Sequence, residues 1–172
     1  MLFPLSAILT SFVIFFSTGA NAAALFSITS SSFADSKAIP AWYSCDGGEH
    51  SPQLSWKGAP SKTKTYVLIC NDPDAPQGDW YHWVMYNIPN TVTTLSEGTV
   101  LASGASLGKN SWGRLQYNGP CPPAGSLHHY YFTLYALDSS LSLPSGAEAK
   151  TVMQAMQGHV VGKTTIVGVF GH

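Results

Sequence analysis

The chain has 172 residues, which suits a single domain and is long enough to bury a hydrophobic core. Charged residues make up only 10% of it, the formal net charge is −1, and the eight Lys and Arg residues are scattered, which argues against the basic face of a nucleic-acid-binding protein. Aromatic residues at 12% and hydrophobic residues at 45% argue against a disordered chain.

The first 24 residues differ from the rest because they contain no charged side chain and include a largely apolar run over residues 5–16. Residues 20–22 (Ala-Asn-Ala) and 22–24 (Ala-Ala-Ala) each have the small-x-small form of a signal-peptidase site. No Lys or Arg precedes the apolar run, so only the terminal amine supplies positive charge there.

These features predict a signal peptide over residues 1–22 and an exported domain over residues 23–172, located in the periplasm or secreted. Cleavage is expected after Ala22 or Ala24. The alternative is a retained N-terminal anchor, but the apolar run is short for a membrane span, which needs about 20 residues. No other segment has the composition of a span, so we expect none after signal cleavage.

Three runs of residues in the middle of the chain predict β-strands. Thr65 to Cys70 (TYVLIC) is rich in β-branched and aromatic residues and ends at an Asn-Asp-Pro turn. Tyr81 to Asn87 (YHWVMYN) alternates and is stopped by Pro89, and Leu127 to Leu137 (LHHYYFTLYAL) is the third. A final strand is predicted over Thr165 to Phe170.

Strand geometry divides the side chains of the second and third predicted strands between two faces. In the second strand His82, Val84 and Tyr86 are expected on one face, and Trp83 and Met85 on the other. In the third strand one face is expected to carry His128, Tyr130, Phe132 and Leu134, and the other His129, Tyr131, Thr133 and Tyr135.

One helix is predicted before the final strand. Ser145 and Glu148 form an S-x-x-E capping box, and Gly158 is a natural C-terminal cap. Apolar residues then repeat at helical spacing, at Ala149, Val152, Met153 and Met156. Strands dominate the chain, so the sequence predicts a mainly β fold with a late helix.

The chain has three cysteines, Cys45, Cys70 and Cys121. An exported chain meets oxidising conditions, so one disulfide is allowed and one thiol is left over. Cys70 ends an apolar run and is expected to be buried, whereas Cys45 and Cys121 lie in Gly-rich or Pro-rich loops. No pair has the CxxC spacing of a structural zinc site, and we expect no metal.

The loops at the strand ends have unusual sequences. Residues 72–76 (DPDAP) follow the first strand, residues 80–84 (WYHWV) open the second, and residues 117–125 (YNGPCPPAG) precede residues 128–132 (HHYYF). In this order they resemble the signature of the phosphatidylethanolamine-binding family, most closely its bacterial and archaeal Raf-kinase-inhibitor-like branch. Further similar segments, which extend the resemblance over roughly the whole mature chain, are 39–40 (IP), 43–47 (YSCDG), 51–56 (SPQLSW), 156–160 (MQGHV) and 167–168 (VG).

The resemblance implies an antiparallel β-sandwich with a short helix near its C-terminal end and a shallow pocket at one end. In the family this pocket binds phosphate-like anions and phospholipid head groups. The ligand-binding residues that the motifs imply are Asp72, Asp74, Trp80, His82, Gly119, Pro120, Pro122, His128 and Tyr130. If the two cysteine loops border this pocket, Cys45 and Cys121 are expected to form a disulfide, with Cys70 as the odd buried thiol.

Two aspartates in an anion site repel a phosphate, so we expect them to act indirectly. A carboxylate that accepts the N–H of a histidine raises the pKa of the imidazole, whose other N–H can then bind the anion. Asp72 or Asp74, paired with His82 or His128, can do this, and Tyr130 adds a neutral O–H donor. Two further aromatic residues, Trp80 and Tyr81, offer flat walls for an ammonium or choline-like group.

We predict a binding protein without catalytic residues or cofactor, whose partner is a phosphate-bearing small molecule or a phospholipid head group. One alternative is an inhibitor of a kinase or protease, which acts on a protein target. Another is a metal-assisted hydrolase, in which Asp72, Asp74, His82 and His128 ligate a metal that activates water. The alternative without a binding site is that DPDAP is only a turn and that its neighbouring histidines are structural. For His50, His159 and His172, which lie outside the motifs, we expect a structural role or an exposed position.

Overall fold

The computed structural model describes residues 25–172, so the predicted signal peptide and its cleavage sites lie outside the described residues. Most of this part of the chain is organised around β-strands, with one α-helix and one short 3₁₀ helix. The strands are β1 (Ser27–Thr29), β2 (Lys37–Ala38), β3 (Leu54–Lys57), β4 (Thr65–Asp72), β5 (Trp80–Pro89), β6 (Thr94–Leu95), β7 (Ser106–Leu107), β8 (Leu127–Leu137) and β9 (Val160–Gly171). The 3₁₀ helix is Ala41–Tyr43 and helix α1 is Ala149–Ala155.

The strands form two sheets. The larger has six strands in the order β2-β9-β8-β4-β5-β7, and the smaller has three in the order β1-β3-β6. All pairings are antiparallel except the short pairing of β2 with β9. The predicted mainly β sandwich with a short helix late in the chain is therefore confirmed.

The main core lies between the two sheets. Ile28, Trp56 and Leu95 from the smaller sheet pack with Leu68 and Leu134 from the larger one. The side chains of β8 alternate as predicted, with Tyr130, Phe132 and Leu134 in this core. The burial of these apolar side chains between the two sheets is the main contribution that stabilises such a sandwich.

A second core covers the opposite face of the larger sheet. Val67 and Tyr86 from the sheet pack here with Val152 and Met156, which belong to α1 and the turn after it. Both faces of β4 and β5 are therefore buried, which explains why these strands are nearly continuous apolar runs rather than alternating ones.

Strand β5 departs from regular alternation at the end that carries the sequence WYHWV. Cys70 of β4 pairs with Trp83, but the next residue, Asn71, pairs with Tyr81. His82 is therefore an extra residue without a partner on β4, which is a β-bulge.

The bulge changes the face to which His82 points. Its ring lies 5.2 Å from the ring of Tyr130, which belongs to the main core. The prediction that His82 shares a face with Val84 and Tyr86 is therefore wrong, since these two residues belong to the second core. A pattern of strict alternation cannot contain a bulge, which depends on the register with the neighbouring strand.

The helix starts differently from the prediction. It covers Ala149–Ala155, with Glu148 at the N-cap position and no side-chain capping hydrogen bond, so the predicted Ser145–Glu148 capping box is wrong. The physical reason is that the Glu148 carboxylate lies 3.4 Å from the Lys109 ammonium, and the two residues also form a β-bridge. Gly158 follows the helix with φ of 79°, a conformation that glycine adopts without strain.

The final strand is longer than the sequence indicated. It covers Val160–Gly171 rather than Thr165–Phe170 and pairs with the whole of β8. Pairing with β8 holds the strand together even where its own sequence, Gly-Lys-Thr-Thr, lacks an apolar run. None of the described helices is long and apolar enough to span a membrane.

Candidate ligand-binding site

A pocket of about 250 Å³ lies at one end of the larger sheet, where β4 ends and where β5 and β8 begin. Its side chains come from these three strand ends and from two loops, one around residue 112 and one around residue 121. The antiparallel strand order brings the three strand ends together. It is lined by Asp72, Ala75, Pro76, Gln77, Trp80, His82, Trp112, Cys121, Pro122, Pro123 and His128.

The structure brings together five of the nine predicted ligand-binding residues in the lining of this pocket: Asp72, Trp80, His82, Pro122 and His128. The other four lie outside the lining. They are Asp74, Gly119, Pro120 and Tyr130.

The floor of the pocket contains a buried carboxylate–imidazole pair. Nδ1 of His128 donates to Oδ2 of Asp72 at 2.7 Å, and both side chains are almost fully buried. The other oxygen of Asp72, Oδ1, accepts the backbone N–H of Asp74 at 2.9 Å. Both oxygens of Asp72 are thus engaged, while Nε2 of His128 has no protein partner in the described part of the chain and is left for a ligand.

His82 is held differently. Its Nδ1 lies 2.8 Å from the backbone oxygen of Asn118, and because a carbonyl only accepts, this nitrogen must carry the proton. Burial lowers the pKa of His82, which outweighs the opposing effects of the Asn118 carbonyl and of the Asp72 charge. The neutral form therefore has a free lone pair on Nε2. Of the alternative carboxylate–imidazole pairs, the structure forms Asp72–His128, and His82 is held by a carbonyl instead.

Asn118 is itself fixed by hydrogen bonds to a buried amide and to a partly buried carboxylate. Its Oδ1 accepts from Nδ2 of Asn110 at 2.8 Å, and its Nδ2 donates to Oε2 of Glu49 at 2.7 Å. Glu49 has φ of 57°, which is unusual for a residue with a side chain. The network fixes the position of the carbonyl that determines the tautomer of His82.

Tyr130 lies beneath the pocket and is fully buried. Its hydroxyl has no hydrogen-bond partner among the residues that the structure describes. Burial, reinforced by the negative charge of Asp72, raises the pKa of Tyr130 far above its usual value, so the group is a neutral O–H donor. A buried donor without a partner is costly, which favours a water or a ligand oxygen close to it.

Asp74 faces away from the pocket. Its Oδ2 accepts both the backbone N–H of His129 at 2.8 Å and the Nδ1–H of the same residue at 2.7 Å. These hydrogen bonds lower the pKa of Asp74. Asp74 therefore holds the loop after β4 against β8. Its partner His129 points to the opposite face of β8 from His128, so this contact lies outside the pocket.

Gly119 and Pro120 build the wall of the pocket from behind. Gly119 packs so closely on Tyr43 and Ser44 that an added Cβ would overlap the backbone of both. The Pro120 oxygen accepts the backbone N–H of Cys45 at 3.0 Å.

Cys45 and Cys121, the predicted pair, form a disulfide with their Cα atoms 5.5 Å apart. Cys121 lines the pocket, so the disulfide ties the pocket wall to the loop that begins at the 3₁₀ helix. Cys70 is free and buried, as expected.

Trp112 is the main lining residue that the sequence did not reveal. It lies in a loop that Asn110 organises, since Oδ1 of Asn110 accepts the backbone N–H of Trp112 at 3.0 Å and of Arg114 at 2.9 Å. Its ring centroid lies 5.4 Å from that of Trp80 with an angle of 88° between the ring planes. Tyr81, expected to be an aromatic wall, belongs instead to the second core.

Comparisons with known proteins place this chain in a family. A family model described as phosphatidylethanolamine-binding protein matches residues 29–171. This chain belongs to that family. Its mainly β fold, with two packed sheets, is that of the phosphatidylethanolamine-binding proteins.

Relatives of this chain come from bacteria and archaea. A UPF0098 protein of Methanothermobacter thermautotrophicus is 47% identical over 142 residues, which are 80% of this chain and 93% of the relative. Two solved structures are similar to this member of the family. A phosphatidylethanolamine-binding protein homolog from Chlamydia trachomatis, CT736, has a TM-score of 0.80 and 38% identity, covering 86% of this chain and 97% of its own. YbcL of E. coli has a TM-score of 0.81 and 32% identity, covering 87% and 99%.

Within this family member, potential metal ligands are few. Among the described residues, one group of at least three lies close enough together, namely Cys45, Cys121 and His172. Its two sulfurs are joined in the disulfide, so they are not free thiolates and do not offer the ligands that zinc prefers.

Proposed function

We propose that this protein binds a phosphate-bearing small molecule or a phospholipid head group, and that the anion is held by His128. The observation that carries the proposal is the buried Asp72–His128 pair, which leaves Nε2 of the imidazole available at the floor of the pocket. The unpaired hydroxyl of Tyr130 supports it, since that group offers a neutral donor in the same region.

The charge for binding an anion must come from the imidazoles. The pocket lining within the described residues contains no lysine or arginine. When His128 is protonated, Nδ1–H donates to Asp72 and Nε2–H can donate to the anion, so the carboxylate neutralises part of the added charge. His82 is neutral before binding, and an anion close to it favours its protonation as well. Binding is therefore coupled to proton uptake.

The proposal is one of binding without turnover. Both oxygens of Asp72 already accept hydrogen bonds, from His128 and from the backbone of Asp74, which makes this carboxylate a poor ligand for a catalytic metal. A phosphate ester should accordingly be recovered unchanged after incubation with the protein, with or without divalent metal. Metal-dependent release of phosphate would favour the hydrolase alternative.

We further propose that the protein acts after export. Three observations support this: the signal-peptide pattern over residues 1–22, the disulfide, and a relative of Mycobacterium tuberculosis, LppC, which is named as a lipoprotein. LppC is 40% identical over 154 residues, which are 89% of this chain and 76% of the relative.

Calorimetry with phosphoethanolamine tests the proposed site. We expect His128→Ala to weaken binding about ten- to a hundred-fold, because it removes one charge-assisted hydrogen bond worth about 1.5 to 3 kcal/mol. Binding should also weaken as the pH rises, because burial lowers the pKa of His82 and its protonation on anion binding becomes more costly at higher pH. His159→Ala is a matched control, since His159 forms a similar pair with Asp138 at 3.0 Å on the exposed surface. Equal affinities for the wild type and both variants would refute the assignment.

A further inference from the structure

The upper wall of the pocket is built from two tryptophans. Trp80 and Trp112 stand at 88° to each other with their ring centroids 5.4 Å apart, so they form a corner of two perpendicular aromatic planes. Trp112 also lies 5.0 Å from the ring of His82, at 80°. The corner is thus next to the imidazoles of the proposed anion site, within one pocket.

The lining near this corner has few groups that could replace the water around a primary ammonium. Both oxygens of Asp72 are engaged by His128 and Asp74. The remaining lining is mostly apolar, with Ala75, Pro76, Pro122 and Pro123 and one neutral amide side chain, Gln77. A primary ammonium has three N–H donors to satisfy and is strongly hydrated. A quaternary ammonium has no N–H donor, and the face of a tryptophan is its best aromatic partner.

We infer that the Trp80–Trp112 corner binds a quaternary ammonium, so that the preferred ligand is a phosphocholine-type ester rather than a phosphoethanolamine-type one. The inference rests on the proposed function, which puts the phosphate next to His128 at the floor of the pocket. The trimethylammonium group of the same ligand then lies in the corner formed by the two tryptophans. A pocket of about 250 Å³ has room for such a head group.

Trp112 is the residue to change, because it is 40% exposed and its loop is held through its backbone N–H, which donates to Asn110, and not through its side chain. We expect wild-type protein to bind phosphocholine at least about five-fold more tightly than phosphoethanolamine in calorimetry. Trp112→Leu should weaken the binding of phosphocholine about five-fold and change the affinity for phosphoethanolamine by less than about two-fold. Trp112→Phe, which keeps an aromatic face, should retain most of the preference.

Trp42→Leu is the matched control. Trp42 is an exposed tryptophan outside the pocket, stacked on His50 at 4.1 Å. It should leave both affinities unchanged. Equal binding of the two esters by the wild type, tighter binding of phosphoethanolamine, or an equal loss for both esters in Trp112→Leu would overturn the inference.

Tetramethylammonium chloride separates this inference from the proposed function, because it carries the cation without a phosphate. Binding of tetramethylammonium that Trp112→Leu abolishes, together with no binding of any phosphate ester, would support the aromatic corner and refute the anion site. Phosphate-ester binding without a choline preference, and without binding of tetramethylammonium, would refute the corner alone. Glycerophosphocholine and phosphatidylcholine vesicles then distinguish a soluble ester from a lipid head group as the source of the same chemistry.

Discussion

The two pocket histidines differ in the group that holds Nδ1. Nδ1 of His128 donates to the carboxylate of Asp72, whereas Nδ1 of His82 donates to the backbone carbonyl of Asn118. A carboxylate stabilises a protonated imidazole much more than a carbonyl does. We therefore assign the first contact with an anion to His128 and a secondary, proton-coupled role to His82.

The buried, neutral state of His82 has a consequence for stability. Burial lowers its pKa below the ordinary value of 6.5, so between the two pKa values the unfolded chain binds more protons than the folded chain. The contribution of neutral His82 is therefore fully present above pH 6.5 and is lost as the pH falls through the folded pKa.

His82→Gln, which cannot be protonated, should lose less stability on acidification than the wild type. Urea unfolding at about pH 7.5 and about pH 5.5 measures the change within each protein, so the constant cost of the substitution cancels. His159→Gln is the exposed control and should behave as the wild type does. A His82→Gln protein whose free energy of unfolding falls as much as that of the wild type would contradict the burial argument.

At this scale the sequence motifs were sufficient to bring Asp72, His82 and His128 into one site, but not to pair them. Either aspartate could have been matched with either histidine. The structure pairs Asp72 with His128 and Asp74 with His129, because consecutive residues of β8 point to opposite faces. Trp112 could not be found in advance, since it lies in a loop without a recognisable pattern.

Strands are the elements that position the site. The sequence was sufficient to predict where the central strands lie, but not the bulge in β5. Leu127–Leu137 agrees with the prediction at both ends, because the run is long and bounded by turn residues. The bulge at His82 depends on the register between β4 and β5, which no local pattern contains. The start of the helix likewise depends on a residue that is distant in the sequence, because Lys109 forms an ion pair with Glu148.

The disulfide is the covalent link between two of the loops. It closes a loop across a sequence separation of 76 residues, so its loss should increase the entropy of the unfolded chain. We expect Cys45→Ser combined with Cys121→Ser to lower the free energy of unfolding by about 2 to 4 kcal/mol. Chemical denaturation of both proteins measures this.

The same double variant should bind phosphoethanolamine more weakly, because Cys121 and Pro122 belong to the pocket wall. Adding a dithiol reductant is the control. It should move the wild type towards the double variant and leave the double variant itself unchanged. A wild type and a double variant with equal stability would show that the disulfide does not hold the two loops in solution.

The whole molecule is a sandwich with its pocket at one end, and the family resemblance was sufficient to predict that architecture. Composition and periodicity alone indicated only a mainly β fold, since they do not determine how strands are ordered in a sheet. The order β2-β9-β8-β4-β5-β7 places the ends of β4, β5 and β8 side by side. That juxtaposition brings residues more than fifty positions apart, such as Asp72 and His128, into hydrogen-bonding contact.

Export concerns the whole molecule as well. We expect mass spectrometry of the protein from the cell envelope or the medium to find a mature N-terminus at residue 23 or residue 25, after cleavage behind Ala22 or Ala24. The reason is the uncharged apolar start followed by two overlapping Ala-x-Ala sites. A protein in the envelope that still begins at Met1 would favour the retained anchor instead.

The central claim is that His128, held by Asp72, binds the anion. The most direct measurement is the ¹⁵N chemical shift of the imidazole nitrogens during a titration with phosphoethanolamine at constant pH. We expect Nε2 of His128 to move towards the value of a protonated, hydrogen-bonded nitrogen, with a smaller change at His82 and none at His159. A titration that saturates while the nitrogens of His128 stay unchanged would contradict the account.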